Sequence, residues 1–218
     1  MPSPEQPPRP VPPHGPPVVT IFESPGSGAE QVGHRVAEAL GVTFHAQAFS
    51  AEQLEGAPSP EDDSLLSRVF GAMGGSYAAA LEGPAVAMAQ RDEHELVLNN
   101  TRWVTDAARS GGVIVGRNGA LILAGWPGVL HVRLDAPARW RAERAAGIGG
   151  TTADRAAKRQ RREEGIRADM SIRLYGWDPR DPTRYDLVVN TGTLGPDACA
   201  DIIVHASRVK AARTVSRP

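Results

Sequence analysis

Cysteine is almost absent from this 218-residue chain, and aromatic residues make up only 5% of it. The single Cys199 excludes a disulfide framework and a thiolate zinc site, and it fits a reducing compartment. The chain has no run of about 18 apolar residues, the length that a membrane-spanning helix needs, and it begins without the basic start and apolar stretch of a signal peptide. We therefore expect a cytoplasmic protein without a membrane partner.

An excess of charge is also missing, because 24 Lys and Arg residues are offset by 25 Asp and Glu residues. This balance disfavours a globally basic surface, so nucleic acid is not an expected partner. The histidines show no metal-ligand spacing, and there is no G-x-S-x-G elbow of a serine hydrolase. With 41% hydrophobic residues, the chain is long enough to bury one sizeable core.

Proline, in contrast, is concentrated at the N-terminus, where nine of the 19 prolines fall within residues 1–17. Fixed φ angles and missing N–H donors prevent regular structure there, so we predict a disordered tail biased toward polyproline II. The tail is either an inert arm or a ligand for a proline-binding domain. We predict a single domain over residues 18–211 and disorder again over residues 212–218.

Short apolar runs alternate with helical patterns along the predicted domain. Residues 18–22 form a β-branched run that ends at a glycine turn, and a helix with apolar residues at every fourth position follows over 29–40. Three more apolar runs, each ending at a polar or glycine turn, are residues 113–115, 129–134 and 186–190. This alternation predicts an α/β fold, a doubly wound parallel sheet with flanking helices.

Ligands of such sheets bind at the carboxyl ends of the strands, where Gly26, Arg117, Asp135 and Asn190 are expected to collect. Gly26-Ser27-Gly28, here called the glycine loop, can present backbone amides and a helix N-terminus to a phosphate. A Rossmann site is disfavoured, since Gln31 stands where its third glycine is needed. Seven Arg and Lys residues between 155 and 173 are either a solvated helix face or a device that closes on phosphates.

Four segments in order resemble the cytidylate kinase-like family of P-loop nucleoside monophosphate kinases. They are TIFESPGSGAEQVGHRVAEALGV, SGGVIVGRNGALIL, VLHVRLDAPARWRAERAAG and YGWDPRDPTRYDLVVNTGTLG. The resemblance implies transfer of the terminal phosphoryl of ATP, with Mg, to CMP, dCMP or a related monophosphate. It also implies a helical insertion for the monophosphate at about residues 50–110 and an Arg-rich lid at about 147–180.

The resemblance also assigns roles to individual residues. It implies that Arg117, in the Gly-Arg motif, contacts the acceptor phosphate, and that Arg141, Arg144 and Arg167 act as lid arginines in catalysis. Asp186 is matched to the acceptor side. The positions matched to ATP binding, in the loop and at the last strand end, are Gly26, Ser27, Gly28, Ala29, Glu30, Gln31, Asn190 and Thr191.

The loop departs from the family pattern where charge is needed. Cytidylate kinases continue it as Gly-Lys-Gly-Thr, whereas Ala29, Glu30 and Gln31 stand here, and Val115 replaces the Asp before Gly-Arg. Two hypotheses therefore remain open for the whole chain. It is a CMP-type phosphotransferase that binds small-molecule nucleotides, or a catalytically impaired nucleotide-binding protein with a regulatory or scaffolding role.

Overall fold

The computed structural model describes residues 15–47 and 84–215. Most of the predicted tail, residues 48–83 of the predicted insertion and residues 216–218 thus lie outside the described residues. The described chain begins three residues before the predicted domain boundary. Pro17 already takes part in the backbone pairing of the sheet, since its carbonyl accepts a hydrogen bond of 3.0 Å from the Gly112 N–H.

Five parallel strands form one sheet in the order β2-β3-β1-β4-β5. Their bounds are Val18–Glu23 (β1), Thr43–His45 (β2), Gly112–Val115 (β3), Leu130–Asp135 (β4) and Leu187–Asn190 (β5). The predicted doubly wound parallel sheet is confirmed, with its apolar runs as the strands. The edge strand β2 is the element that the sequence analysis lacks, because three residues are too few to show a pattern.

Helices cover both faces of this sheet. They are Ala29–Leu40 (α1), Pro84–Ser110 (α2), Gly119–Ile122 (α3), Ala138–Gly149 (α4), Ala153–Tyr175 (α5) and Thr191–Val215 (α6). Gly41 ends α1 in the left-handed conformation, and Gly195 interrupts α6. In the described ranges, no helix combines the length and apolar character needed to cross a membrane.

The core consists of two apolar layers, one on each face of the sheet. On one face α1 and α6 bury Val32, Val36 and Ile203 against the central strands, and all three side chains are fully buried. On the other face Val104 of α2 packs with Ile114 and with apolar residues around α3. Because the chain moves first to one side of β1 and then to the other, the strand order reverses beside β1, and a ligand crevice is expected at its carboxyl end.

Candidate functional site

The glycine loop begins with a tight turn immediately after β1. The Ser27 N–H donates to the Ser24 carbonyl at 3.0 Å, and Gly26 has a φ of 87° at the third position of the turn. A type II turn needs positive φ at this position and favours proline just before it, as Pro25 provides. Gly28, at φ 90°, is the N-cap residue that precedes α1. The predicted succession of strand, glycine loop and helix is observed.

A carboxylate of the chain itself lies on the glycine loop. Glu23 Oε2 accepts hydrogen bonds from the Ala29 N–H at 3.1 Å and from the Ser27 hydroxyl at 3.4 Å. Ala29 is the first residue of α1, where backbone N–H groups lack helical partners and attract anions. The sequence analysis did not single out Glu23, since an acidic residue between a strand and a turn is a common feature of loops.

Arg144 of α4 brings a cation to the same loop. Its Nη2 donates to Gln31 Oε1 at 3.1 Å, and its Nη1 lies 3.5 Å from the Gly26 carbonyl. A Cβ placed on Gly28 would be only 3.2 Å from this guanidinium. A positive charge is therefore present over the loop although Ala29 replaces the lysine of the family pattern.

Arg141 lies on the same helix but is buried, with 7% of its surface exposed. Its Nε donates to the Ala136 carbonyl at 3.0 Å, and its Nη1 donates to the Pro25 carbonyl at 2.8 Å and to Glu164 at 2.6 Å. These contacts join the turn before the glycine loop to the end of β4 and to α5. In this structure Arg141 positions the loop.

Helix α5, within the predicted lid, also contacts the glycine loop. Gln160 donates to the Arg141 carbonyl at 3.0 Å, and its amide nitrogen lies 2.3 Å from where a Cβ of Gly26 would be. No side chain fits at position 26 without displacing Gln160. The close approach explains a glycine here independently of any ligand.

Further along α5, Arg167 forms an ion pair with Glu163. Both side chains are largely buried, and Arg167 Nη1 has no hydrogen-bond partner within the part of the chain that the structure describes. Burial raises the pKa of Glu163, Arg167 opposes this shift, and the nearby Glu23 adds to it. The negative charge of Glu23 on the glycine loop is thus felt by the buried ion pair of α5.

A cleft of about 810 Å³ lies between the glycine loop, α4 and α5. Its lining includes Glu30 and Glu163, but cations predominate. Those that line it are Arg144, Arg155, Lys158, Arg159 and Arg162. The predicted basic run thus contributes to a concave surface beside the loop, as its phosphate-closing interpretation requires.

Arg117 lies at the carboxyl end of β3, next to β1. The Gly116 N–H donates to the Ile21 carbonyl at 2.8 Å, which fixes this end of β3 against the central strand. The Arg117 guanidinium stacks over the Trp103 ring at 3.8 Å, and its Nε donates to the Ala46 carbonyl at 3.3 Å. Burial lowers the pKa of Arg117.

The backbone at Arg117 is held in a conformation that non-glycine residues rarely adopt, since Arg117 and Asn118 both have φ of 55°. Asn100 Nδ2 donates to the Arg117 carbonyl at 2.9 Å and to the Tyr175 hydroxyl at 2.7 Å. Trp177 Nε1 donates to Asn118 Oδ1 at 2.8 Å. We call this group the Arg117 corner, comprising Asn100, Trp103, Arg117, Asn118, Tyr175 and Trp177. Sequence reasoning found only Arg117 in it, because the others come from distant helical and loop segments.

The residues matched at the last strand separate into two places. Asn190 ends β5, where its Oδ1 accepts from the Gly192 N–H at 3.0 Å, and the Thr191 hydroxyl donates to the Asp135 carbonyl at 3.2 Å. Both lie at the carboxyl ends of the strands, as the glycine loop does. Asp186 precedes β5 at the opposite end of the strand, where it accepts from the His131 N–H at 2.8 Å and pairs with Lys210 at 2.5 Å. The structure does not bring Asp186 together with the other predicted site residues.

The sheet order, the glycine loop after the central strand and the cationic helices beside it define a P-loop NTPase-like α/β protein. Residues 18–193 match the sequence profile of the cytidylate kinase-like family, and the chain belongs to that family. The earlier identification of the family is confirmed, and it supports a nucleotide kinase-type enzyme. Kinases of this kind generally use ATP and Mg.

Individual relatives agree with this assignment. A cytidylate kinase of Ignicoccus hospitalis is 30% identical over 190 residues, which cover 85% of this chain and 96% of that protein. A cytidylate kinase of Methanopyrus kandleri is 29% identical, covering 85% of this chain and 90% of that one. A uronate isomerase of Corynebacterium glutamicum is 38% identical over 110 residues, half of this chain, but the match spans only 21% of the isomerase.

A solved structure of similar fold is that of an uncharacterized protein from Eubacterium ventriosum. It has a TM-score of 0.59 and 17% sequence identity, and the superposition covers 88% of this chain and 98% of that one. At this identity the likeness bears on the fold alone. It agrees with a parallel sheet flanked by helices.

Of the two groups that the family implies, ATP fits the residues of this chain better than Mg does. The cationic cleft and the glycine loop suit the charge of a triphosphate. For Mg the residues fit poorly, because at a phosphate loop this ion is held by a hydroxyl or a carboxylate together with the phosphates. Gln31 and Val115 stand where the family pattern has that hydroxyl and that carboxylate.

Proposed function

We propose that this chain is a phosphotransferase that moves the terminal phosphoryl group of ATP to a nucleoside monophosphate, with CMP or dCMP as the acceptor. The observation that carries the proposal is the Arg144 guanidinium over the glycine loop, within 3.5 Å of the Gly26 carbonyl. It supplies the positive charge that the loop sequence lacks. The two cytidylate kinases that align with most of the chain favour a cytidine acceptor.

On the donor side, the glycine loop and the cleft beside it would hold the triphosphate. Phosphoryl transfer needs little covalent help from protein, and its transition state carries charge on the oxygens of the transferred group. Arg144 lies closest to the loop and would neutralise that charge. Arg141 would act indirectly, by positioning the loop through the Pro25 carbonyl. Arg167 Nη1, which has no hydrogen-bond partner among the described residues, would donate to a phosphate oxygen from α5.

On the acceptor side, Arg117 would hold the monophosphate. Among its contacts within the described chain, its Nε is bound to Ala46, while stacking on Trp103 orients the planar group. An oxygen of the acceptor phosphate would attack the terminal phosphorus of ATP. The bond from that phosphorus to the bridging oxygen would break, and ADP would leave. Asn190 and Thr191 would flank the donor nucleotide at the end of β5.

The test is phosphoryl transfer from ATP, in the presence of Mg, to a panel of nucleoside monophosphates. We expect turnover with CMP or dCMP and a loss of about 100-fold or more in R144A, because one preorganised charge at a developing anion contributes roughly 3 to 4 kcal/mol. Arg139 lies on the same helix, is exposed and pairs with Glu143 at 2.7 Å, so R139A is the matched control. Equal rates in R144A and the wild type would refute the role of Arg144.

A second candidate function is nucleotide binding without catalysis. It is favoured by Ala29, Gln31 and Val115, which stand where the family pattern has its catalytic charged or hydroxyl groups. Calorimetry that detects ATP or CMP binding, together with no transfer to any monophosphate, would favour this function over the first. Absence of binding at millimolar nucleotide would exclude it.

A further inference from the structure

We propose that Glu23 is an internal competitor of the phosphate: its carboxylate holds the anion position of the glycine loop, and a phosphate binds there only after displacing it. The inference rests on the proposed function in one respect, that the loop is where phosphate binds. It goes further by assigning an autoinhibitory contact to a residue outside the family's loop motif.

The first support is the hydrogen bonding of the carboxylate. Glu23 Oε2 accepts from the N–H of Ala29, the first residue of α1, at 3.1 Å. The Ser27 hydroxyl lies 3.4 Å from the same oxygen and 3.3 Å from the Leu134 carbonyl, which is its alternative acceptor. A backbone N–H at the start of a helix is a donor of the kind that binds phosphate oxygens, and a phosphate cannot use that of Ala29 while Glu23 remains in place.

The second support is the packing around the loop. Gln160 from α5 fills the space beside Gly26, at 2.3 Å from where a Cβ would be, and Arg144 covers Gly28. The Arg144 guanidinium is directed to Gln31 and the Gly26 carbonyl. The two helices therefore lie directly on the glycine loop while the carboxylate is bound to it. A phosphate that reaches the Ala29 N–H must displace Glu23 beneath these two side chains.

The third support is the charge behind the loop. Glu23 is half-buried beside Glu163, and burial together with this neighbour raises the pKa of the Glu163 carboxyl. The Glu23 carboxylate places a negative charge at the start of α1, where it repels a second anion. Removal of the side chain would free the Ala29 N–H, and removal of the charge alone would reduce the repulsion and weaken the hydrogen bond to Ala29.

The experiment compares the affinities of wild type, E23Q, E23A and E38Q for inorganic tripolyphosphate and for ATP, each with and without Mg, by calorimetry. Glu38 is exposed near the other end of α1, so E38Q removes the same charge far from the loop. E23Q keeps an oxygen that can accept from Ala29, which guards against misfolding, and thermal unfolding verifies each variant. We expect both Glu23 variants to bind tripolyphosphate and ATP about tenfold more tightly than wild type, as expected from a hydrogen bond to a charged group, and E38Q to stay within about twofold.

Equal affinities in wild type and both Glu23 variants would overturn the inference. Weaker binding of ATP only in the presence of Mg would also overturn it, since Glu23 would then be a ligand of the ion. Transfer activity separates the two proposals. Tighter binding by E23Q without any transfer refutes the proposed function and supports the competitor, while transfer with unchanged affinity does the reverse. If no variant binds a phosphate compound, both proposals fail.

Discussion

The glycine loop and the Arg117 corner lie at the ends of neighbouring strands, yet their charges are used differently. Around the loop, the charges of Glu23, Arg141 and Arg144 are each engaged with the chain's own amides, carbonyls or side chains. At the corner, the backbone is fixed by Asn100 and Trp177, and the guanidinium of Arg117 rests on an aromatic ring. The residues of the corner thus surround the guanidinium of Arg117, whereas an amide of the glycine loop is bound to the carboxylate of Glu23.

The contrast shows that the missing lysine of the glycine loop has two opposing replacements, one positive and one negative. Arg144 returns a positive charge to a loop that has lost its lysine, and Glu23 places a negative charge on the same loop. Net charge at the loop therefore depends on the position of two side chains. At the corner, the described contacts converge on one guanidinium, that of Arg117, whose backbone is hydrogen-bonded to Asn100. The expected effects of substitution differ accordingly.

The largest expected effect is at the corner. Replacement of Arg117 by alanine is expected to lower kcat/KM for the acceptor by about 100- to 1,000-fold, because the acceptor phosphate loses a preorganised cation there. Steady-state kinetics at varied monophosphate concentration measure this. The exposed Arg109, paired with Asp106 at 2.9 Å, provides R109A as the control. If R117A and R109A behaved alike, the corner would not be the acceptor site.

The next effect concerns the loop and stability. Replacement of Arg141 by alanine is expected to lower the free energy of unfolding by about 3 to 5 kcal/mol, since it leaves Glu164 and two carbonyls without their buried partner. Chemical denaturation of R141A beside R139A measures the difference. A loss no larger than that of R139A would show that Arg141 does not hold the loop.

A smaller effect is expected from the ring beneath Arg117. Substitution of Trp103 by leucine removes a cation–π contact of about 1 kcal/mol and is expected to raise the acceptor KM about fivefold while kcat changes less. L98A is the comparison, because Leu98 lies on the same helix and is 39% exposed. A change in kcat alone would contradict a positioning role for Trp103.

The smallest expected effect is on stability, and it arises at His131, near the amino end of β4 and away from the loop and the corner. Burial, aided by Lys210, lowers the pKa of His131 from its ordinary value of 6.5, so the unfolded chain binds a proton more readily than the folded one. The free energy of unfolding is therefore expected to fall as the pH drops from 7.5 to 5.5. Urea midpoints at the two values should differ less in H131N than in the wild type. An unchanged difference would exclude His131 as its source.

Much of the fold could be predicted from local sequence. The apolar run 18–22, the glycine loop and Gly41 together define β1, the turn and α1, because each is a short-range signal. The strand Thr43–His45 could not be predicted, since its place comes from pairing with β3 and not from its own pattern.

The candidate site was less predictable than the fold. Arg117 could be singled out as a cation at a strand end, and Arg144 through the family resemblance. The contacts of Glu23 and Trp103 could not, because they depend on how α1 begins and on a helix 14 residues before Arg117 in sequence. Asp186 illustrates the same limit. It is only four residues before Asn190 in sequence, but β5 lies between them, so the two residues are at opposite ends of that strand.

The most direct test of the central claim follows the phosphorus of ATP and CMP in one sample by NMR, with Mg and the wild-type protein. ADP and CDP are expected to appear in equal amounts as ATP and CMP disappear, and R117A is expected to slow the formation of both by about 100-fold or more. Release of inorganic phosphate without CDP, or no reaction while both nucleotides bind, would contradict that claim.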